Sequence, residues 1–231
     1  MPPVRCYTNW NMRSVDSVSQ IEPYKKFFFI CEGEKTETWY FTELINQKKN
    51  LGIKSIIDIR LLEKTEGDKD ISFPINLIKF AETQKDNPDI SFDRDHDTMI
   101  VVFDADIFES RSDRFEETIK LGEELKDVLA ISNPAFELFL LLHYCNSYNE
   151  IILPNAKEIL SNEKVGNQTY IAHLFSEKSG MNSKRNPKIG QLAANVLTAI
   201  SQEKFLNQDI KQCRHTLSCN VGKTIEEIIN A

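Results

Sequence analysis

Lys25-Lys26-Phe27-Phe28-Phe29-Ile30-Cys31-Glu32-Gly33-Glu34-Lys35-Thr36-Glu37 and, further along, Met99-Ile100-Val101-Val102-Phe103-Asp104-Ala105-Asp106 share one pattern. In each, a hydrophobic run that reads as a buried strand stops at acidic residues. In open α/β sheets ligands bind beyond the carboxyl ends of the strands. Two parallel strands ending in Glu32 and in Asp104 and Asp106 would therefore bring three carboxylates together. Carboxylates held close repel one another unless a cation neutralises them. Mg²⁺ is commonly held by one or two carboxylates and several waters, which leaves positions for a phosphate. The expectation is metal-assisted phosphoryl chemistry.

Strands and helices alternate on either side of these runs. Helical spacing over Glu34 to about Lys49 puts Trp39, Tyr40, Phe41, Leu44 and Ile45 on one apolar face. Residues 55–62 read as a second strand, and Pro74–Gln84 as a helix closed by Pro88 and Asp89. A charged turn over Asp93–Asp97 leads into the strand at 98–103. A charged helix over Arg114–Lys126, a short strand at 128–131 and a strongly apolar helix over Phe136–Tyr144 follow. This order predicts a doubly wound, mainly parallel α/β sheet flanked by helices. Residues 1–24 read as a polar N-terminal arm and 25–148 as the catalytic domain. Residues 149–231 read as a mainly helical C-terminal region able to pack on that domain.

The chain has 231 residues, 41% hydrophobic and 27% charged, enough for a substantial core. No apolar run is long enough to span a bilayer, and the first residues lack a secretory apolar region. Five scattered cysteines do not suggest a disulfide framework, so a reducing cytoplasm is expected, with Cys31 and Cys145 as small core residues. The net charge of −7 argues against a general nucleic-acid binder. The acidic excess lies within residues 1–150, however, and 151–231 are mildly basic. That division is compatible with a phosphate-bearing substrate.

Asp104 and Asp106 are the strongest local signal, because residues i and i+2 at a strand end point to one side and can share a metal. Ordinary turns also use Asp, and other DxD enzymes, glycosyltransferases and phosphatases among them, carry such pairs. Glu32 fits a metal ligand or general base, with Gly33 permitting unusual dihedrals at the turn. Glu34 and Glu37 fit early-turn helix residues that complement the macrodipole. Asn133 and Pro134 fit the N-cap and N1 of the apolar helix, whereas Glu137 is a carboxylate in apolar surroundings that needs a partner. His143 reads as structural. The Cys213 to Cys219 stretch lacks zinc spacing, and Val221-Gly222-Lys223-Thr224 matches only the end of a P-loop.

In combination, the run Ile30-Cys31-Glu32-Gly33-Glu34-Lys35-Thr36-Glu37 with Tyr40-Phe41, then Phe103-Asp104-Ala105-Asp106, then Ser132-Asn133-Pro134-Ala135-Phe136-Glu137 through His143 resembles the RloB family. These are restriction-linked prokaryotic defence proteins, related to the second component of the AbiL system. The resemblance covers about residues 25–145; at Cys219-Asn220-Val221-Gly222-Lys223-Thr224 the chain departs from the family's Asn-Pro-Ser-Thr-like segment. It implies a Toprim-like fold in which Glu32 is the first-strand glutamate, Asp104 and Asp106 are the DxD that binds Mg²⁺ (or Mn²⁺), and Glu137 is a further acidic residue. It also implies partnership with an ATPase that senses phage and a nuclease effector role against tRNA or other RNA.

The leading expectation is therefore a Mg²⁺-dependent nuclease with Glu32, Asp104, Asp106 and Glu137 in the site. Lys35, Lys184, Arg185 and Lys188 are expected to contact backbone phosphates. An inactive state held by homo-oligomerisation or by a partner would protect the host. The alternative is a non-catalytic binding or regulatory partner of a defence ATPase.

Overall fold

The computed structural model describes residues 5–7, 23–64, 73–108 and 112–231. The first apolar run forms strand β2 (Lys25–Cys31), which follows a short β1 (Arg5–Tyr7). Helix α1 (Thr36–Asn46) leads to β3 (Ile57–Glu63), helix α2 (Pro74–Lys85) to β4 (Thr98–Asp104), and helix α3 (Ser112–Glu124) to β5 (Val128–Asn133). Arg5–Tyr7 falls inside the expected polar arm; residues 1–4 and 8–22 of that arm lie outside the described residues.

These strands form a six-stranded sheet in the order β1-β3-β2-β4-β5-β8, where β8 is Ser218–Cys219. The four central strands are parallel, and β1 and β8 are antiparallel edges. Chain order runs outward from β2 to β3, then crosses back over β2 to β4 and on to β5. The reversal lies between β2 and β4, and an open α/β sheet leaves its ligand crevice at such a reversal.

Side chains of a strand alternate between faces, and here both faces are covered. Phe27, Phe29, Cys31, Ile59, Leu61, Ile100 and Val102 face one layer, built from Tyr40, Phe41 and Leu44 of α1 and from the C-terminal helices. Phe28, Ile30, Leu62, Met99, Val101 and Phe103 face the other layer, with Leu77, Ile78 and Ala81 of α2 and Phe115 and Ile119 of α3. Two-sided burial is why the strands are apolar without alternation. Each fully buried Phe or Ile contributes about 1.5–3 kcal/mol.

The C-terminal half enters the first layer. Helix α4 (Glu137–Leu141) has Leu138, Phe139, Leu140 and Leu141 at 0% exposure. It packs against α6 (Tyr170–Ser179), on which α5 (Ala156–Ser161) and a small hairpin of β6 (Lys164–Val165) and β7 (Gln168–Thr169) rest. A 3₁₀ helix over Pro187–Asn195 runs into α7 (Val196–Glu203), and α8 (Val221–Ile229) completes the layer. Phe175, Val196, Ala199, Ile225 and Ile228 share one apolar cluster with Phe29 and Phe41. Among the described residues no helix is long and apolar enough to cross a membrane.

Two sequence expectations are corrected here. Asn133 is the last residue of β5 and is not a helix N-cap, because its side-chain amide donates to the carbonyls of Cys213 and Thr216, each at 2.8 Å. The Asn133–Pro134 peptide is cis, and the helix begins at Glu137 rather than at Phe136. Cys145 is exposed, since α4 ends at Leu141 and the following turns carry residue 145 to the surface; Cys31 is buried as expected.

Candidate active site

The parallel register sets Cys31 beside Val102, so β2 and β4 end side by side. The next backbone N–H, that of Glu32, still donates to Val102 at 2.9 Å, and the Glu32 carboxylate turns across to accept the Asp104 N–H at 3.3 Å. On the other side of β4, the Ala105 N–H donates to Ser132 at 2.8 Å. That bond holds the chain in line until Asp106 opens a short 3₁₀ turn, Asp106–Phe108. Ala105 is buried between the two aspartates, which are partly buried.

Glu37 also belongs to this cluster, although its place in the first turn of α1 suggests a surface residue. It is 8% exposed, and its carboxylate folds back over Gly33. A Cβ on Gly33 would lie 2.1 Å from Glu37 Oε2. Gly33 therefore leaves the room that the end of the Glu37 side chain occupies: it is absent from the glycines with positive φ, which corrects the expectation that it supplies unusual dihedrals. Glu137 approaches from α4, 6% exposed, and its Oε1 accepts the Ser183 hydroxyl at 2.6 Å.

Negative charge accumulates in this desolvated place. Burial raises the Glu32 carboxyl to about 7, reinforced by Glu37 and Asp106 and opposed by the Asp104 N–H and by Lys64. Burial raises Glu37 to about 7 as well, with Glu137 adding to the rise and Lys184 and Lys64 opposing it. Asp104 lies well above the usual carboxylate range, first through burial and then through Glu37, Glu137, Glu32 and Asp106. Proton affinities raised together in this way mark carboxylates whose charge is not fully compensated.

The sequence reading places Glu32, Asp104, Asp106 and Glu137 at the site, and the fold brings them into one electrostatic neighbourhood. Lys184 lies within electrostatic reach of Glu37. Arg185 and Lys188 are exposed on the same segment, and Lys35 is exposed just before α1. Glu34 is exposed. Glu37, Lys64 and Ser183 are the residues missed. Lys64 follows β3 directly, and its ammonium donates to the Glu32 carbonyl at 2.5 Å. A charge just past a third strand at the same sheet end was the available signal for Lys64; nothing local marks Ser183.

The donor set is carboxylate oxygen throughout, which suits a hard divalent cation such as Mg²⁺ and not a soft one. By that chemistry the residues fit the ion. Among the described residues, no three His, Cys, Asp or Glu side chains are drawn together as an ion-holding group.

The α8 N-terminus, where the sequence resembles the end of a P-loop, has its own anion. Both oxygens of the buried Glu203 accept backbone N–H groups there, from Gly222 at 2.7 Å and Lys223 at 2.8 Å. An internal carboxylate thus occupies the place a phosphate takes in a P-loop.

A family model described as RloB-like protein matches residues 27–228, from β2 into α8. No curated protein and no solved structure matches the chain.

Proposed function

The chain belongs to the family of RloB-like proteins, and on that premise we propose that it is a Mg²⁺-dependent, Toprim-like nuclease acting in anti-phage defence, with RNA, tRNA included, as the favoured substrate. Family membership itself suggests a defence-related protein. The observation that supports the enzymatic part is the mutual electrostatic influence of Glu32, Glu37, Asp104, Asp106 and Glu137 beyond the adjoining ends of β2 and β4.

In this reading Glu32, Asp104 and Asp106 hold Mg²⁺, with Mn²⁺ as a substitute. The bound ion supplies Lewis-acid polarisation of a phosphodiester and charge stabilisation of the departing oxygen. Glu37 and Glu137 set the remaining negative charge of the site and orient its members. Alternatively, Glu32 serves as the general base that takes a proton from an attacking water. Lys64 keeps the β2 end in place through the Glu32 carbonyl. Lys35, Lys184, Arg185 and Lys188 meet the substrate's phosphates. An ATPase partner and a homo-oligomeric resting state belong to the same proposal, as means of keeping a toxic nuclease inactive.

A second reading is a non-catalytic binding partner of a defence ATPase. The net charge of −7, unusual for a chain that grips a polyanion, favours it.

Induced expression with the ATPase and a phage trigger separates the two. Wild type is compared with the Asp104→Ala/Asp106→Ala double variant, and total RNA is sequenced. Growth arrest with discrete RNA cleavage, lost in the double variant, is the expected result. Arrest or protection that survives the double variant selects the binding-partner reading.

A further inference from the structure

Residues 182–188 carry Lys184, which lies within electrostatic reach of Glu37, and the segment is bonded to the site through Ser183. Ser183 is 1% exposed and bonded on two sides. Its hydroxyl donates to Glu137 Oε1 at 2.6 Å, and its carbonyl accepts the Thr36 hydroxyl at 2.9 Å. One residue thus joins the first turn of α1 to the first turn of α4. Short O–H···O⁻ bonds to a carboxylate are about twice as strong as neutral ones, and a hydroxyl is the donor that Glu137 has here.

The segment around Ser183 is a tight turn. The Asn182 side chain accepts the Lys184 N–H at 3.1 Å, and its carbonyl accepts the N–H groups of Arg185 at 3.2 Å and Asn186 at 3.0 Å. The Asn186 side chain accepts the Lys188 N–H at 3.0 Å. Beyond it the 3₁₀ helix lies so close to α1 that a Cβ on Gly190 would stand 2.6 Å from the Trp39 carbonyl. Ser183 therefore sits inside a stiff connection, with Lys184 as the adjoining exposed cation.

We propose that Ser183 is a positioning residue that couples the two halves of the site: through its hydroxyl it aims Glu137 at the other carboxylates, and through its backbone it sets Lys184 at their mouth to receive a nucleic-acid backbone phosphate. The inference rests on the nuclease reading and names how the substrate's phosphate is brought into register with the carboxylates. Partners that orient metal-ligating groups typically contribute about 10–100-fold in metal affinity; Glu137 is such a partner in this reading, and Ser183 holds it. One lysine–phosphate contact contributes about one unit of slope in the dependence of affinity on salt.

The test uses the full chain with two ligands: Mg²⁺ alone by calorimetry, and a labelled single-stranded RNA of mixed sequence by anisotropy at several salt concentrations. Ser183→Ala is expected to weaken Mg²⁺ about 10-fold in a chain that is still folded by circular dichroism at the temperature of the calorimetry, although losing the donor to a buried carboxylate costs about 1–3 kcal/mol of stability. Lys184→Ala is expected to keep Mg²⁺ affinity and lose about one unit of salt slope. If Ser183→Ala fails to fold, Thr36→Val takes its place: it loosens the turn without touching Glu137 and should weaken RNA at least about threefold with the salt slope reduced. Wild-type Mg²⁺ and RNA affinities in Ser183→Ala, or wild-type RNA affinity in Thr36→Val where that variant is needed, overturn the inference. The nuclease reading then stands, provided Asp104→Ala still abolishes Mg²⁺ binding. Mg²⁺ binding that is absent from wild type, or unchanged in Asp104→Ala, overturns the reading and the inference with it.

Discussion

The backbone N–H of Asp104 donates to the side-chain carboxylate of Glu32 at 3.3 Å, so the ends of the two central strands are joined through a residue of the proposed chemistry. Charge and hydrogen bonding can be separated at this point. Glu32→Gln keeps an acceptor for the Asp104 N–H and removes one negative charge from a repelling set. Its melting temperature should equal or exceed that of wild type. Any Mg²⁺-dependent RNA cleavage should fall by about 10²-fold or more. A variant that is destabilised and fully active would show that Glu32 is structural.

Gly33 and Glu37 form a second pair, in which the missing side chain of one leaves room for the carboxylate of the other. Gly33→Ala must displace the flexible end of the Glu37 side chain, so its cost in stability should stay below about 1 kcal/mol, under the overpacking range. Its Mg²⁺ affinity should fall as far as that of Glu37→Gln. Because both changes act on one carboxylate, the double variant should be little worse than either alone. Additive losses in calorimetry would mean that Gly33→Ala acts by a route other than Glu37, and an unchanged affinity in Glu37→Gln would mean that Glu37 does not belong to the site.

The parts of this molecule legible in the sequence are those in which local pattern and tertiary role agree. The runs Phe27–Ile30 and Ile100–Phe103 are apolar throughout because the sheet is covered on both faces, and their acidic ends lie where the strand order reverses. Glu37 was obscured because an acid in a helix's first turn already has an ordinary explanation in the macrodipole. Asn133-Pro134 imitates a helix start, while the Asn133 amide is bound to a loop 80 residues away. Strand β8 is two residues long, too short for any periodicity. The Asn220 side chain beside it continues the pairing, accepting the Ile131 N–H at 2.6 Å and donating to Leu129 at 2.8 Å. The Ser183–Glu137 bond joins residues 46 apart, a relationship only the packing of α4 beneath the 182–188 turn creates.

Glu203 offers a test of the α8 N-terminus. Its carboxylate is fully buried and accepts the N–H groups of Gly222 and Lys223, with the Gln208 amide donating to Oε2 at 2.9 Å. Glu203→Ala leaves buried donors without an acceptor and should cost about 1–3 kcal/mol of stability in denaturant unfolding. ATP should bind neither wild type nor the variant, since no glycine-rich loop precedes the helix. Nucleotide binding by wild type would contradict the assignment of Glu203 as the resident anion.

His143 gives the fold a pH dependence of known sign. Its Nδ1 lies 2.9 Å from the Phe139 carbonyl, which can only accept, so Nδ1 carries the proton and Nε2 accepts from the Tyr40 hydroxyl at 2.9 Å. Both nitrogens are used by the neutral ring, and burial lowers the imidazole from 6.5 to about 4, against the raising effect of the Phe139 and Leu140 backbones. The unfolded chain therefore binds a proton that the folded chain resists. The His143 contribution to stability is complete above pH 6.5 and declines as pH falls towards about 4, by about 3 kcal/mol in all. His143→Gln should be less stable at pH 7, because an amide that can still offer Tyr40 an acceptor does not replace the ring's edge contacts with Tyr40 and Phe139. It should also lack most of the decline between pH 6.5 and 4. Urea unfolding of the two proteins at half-unit pH steps measures this directly, and parallel curves across that window would clear His143 as the source of the decline; the site carboxylates act in the opposite sense, since their raised proton affinities favour the folded chain as pH falls.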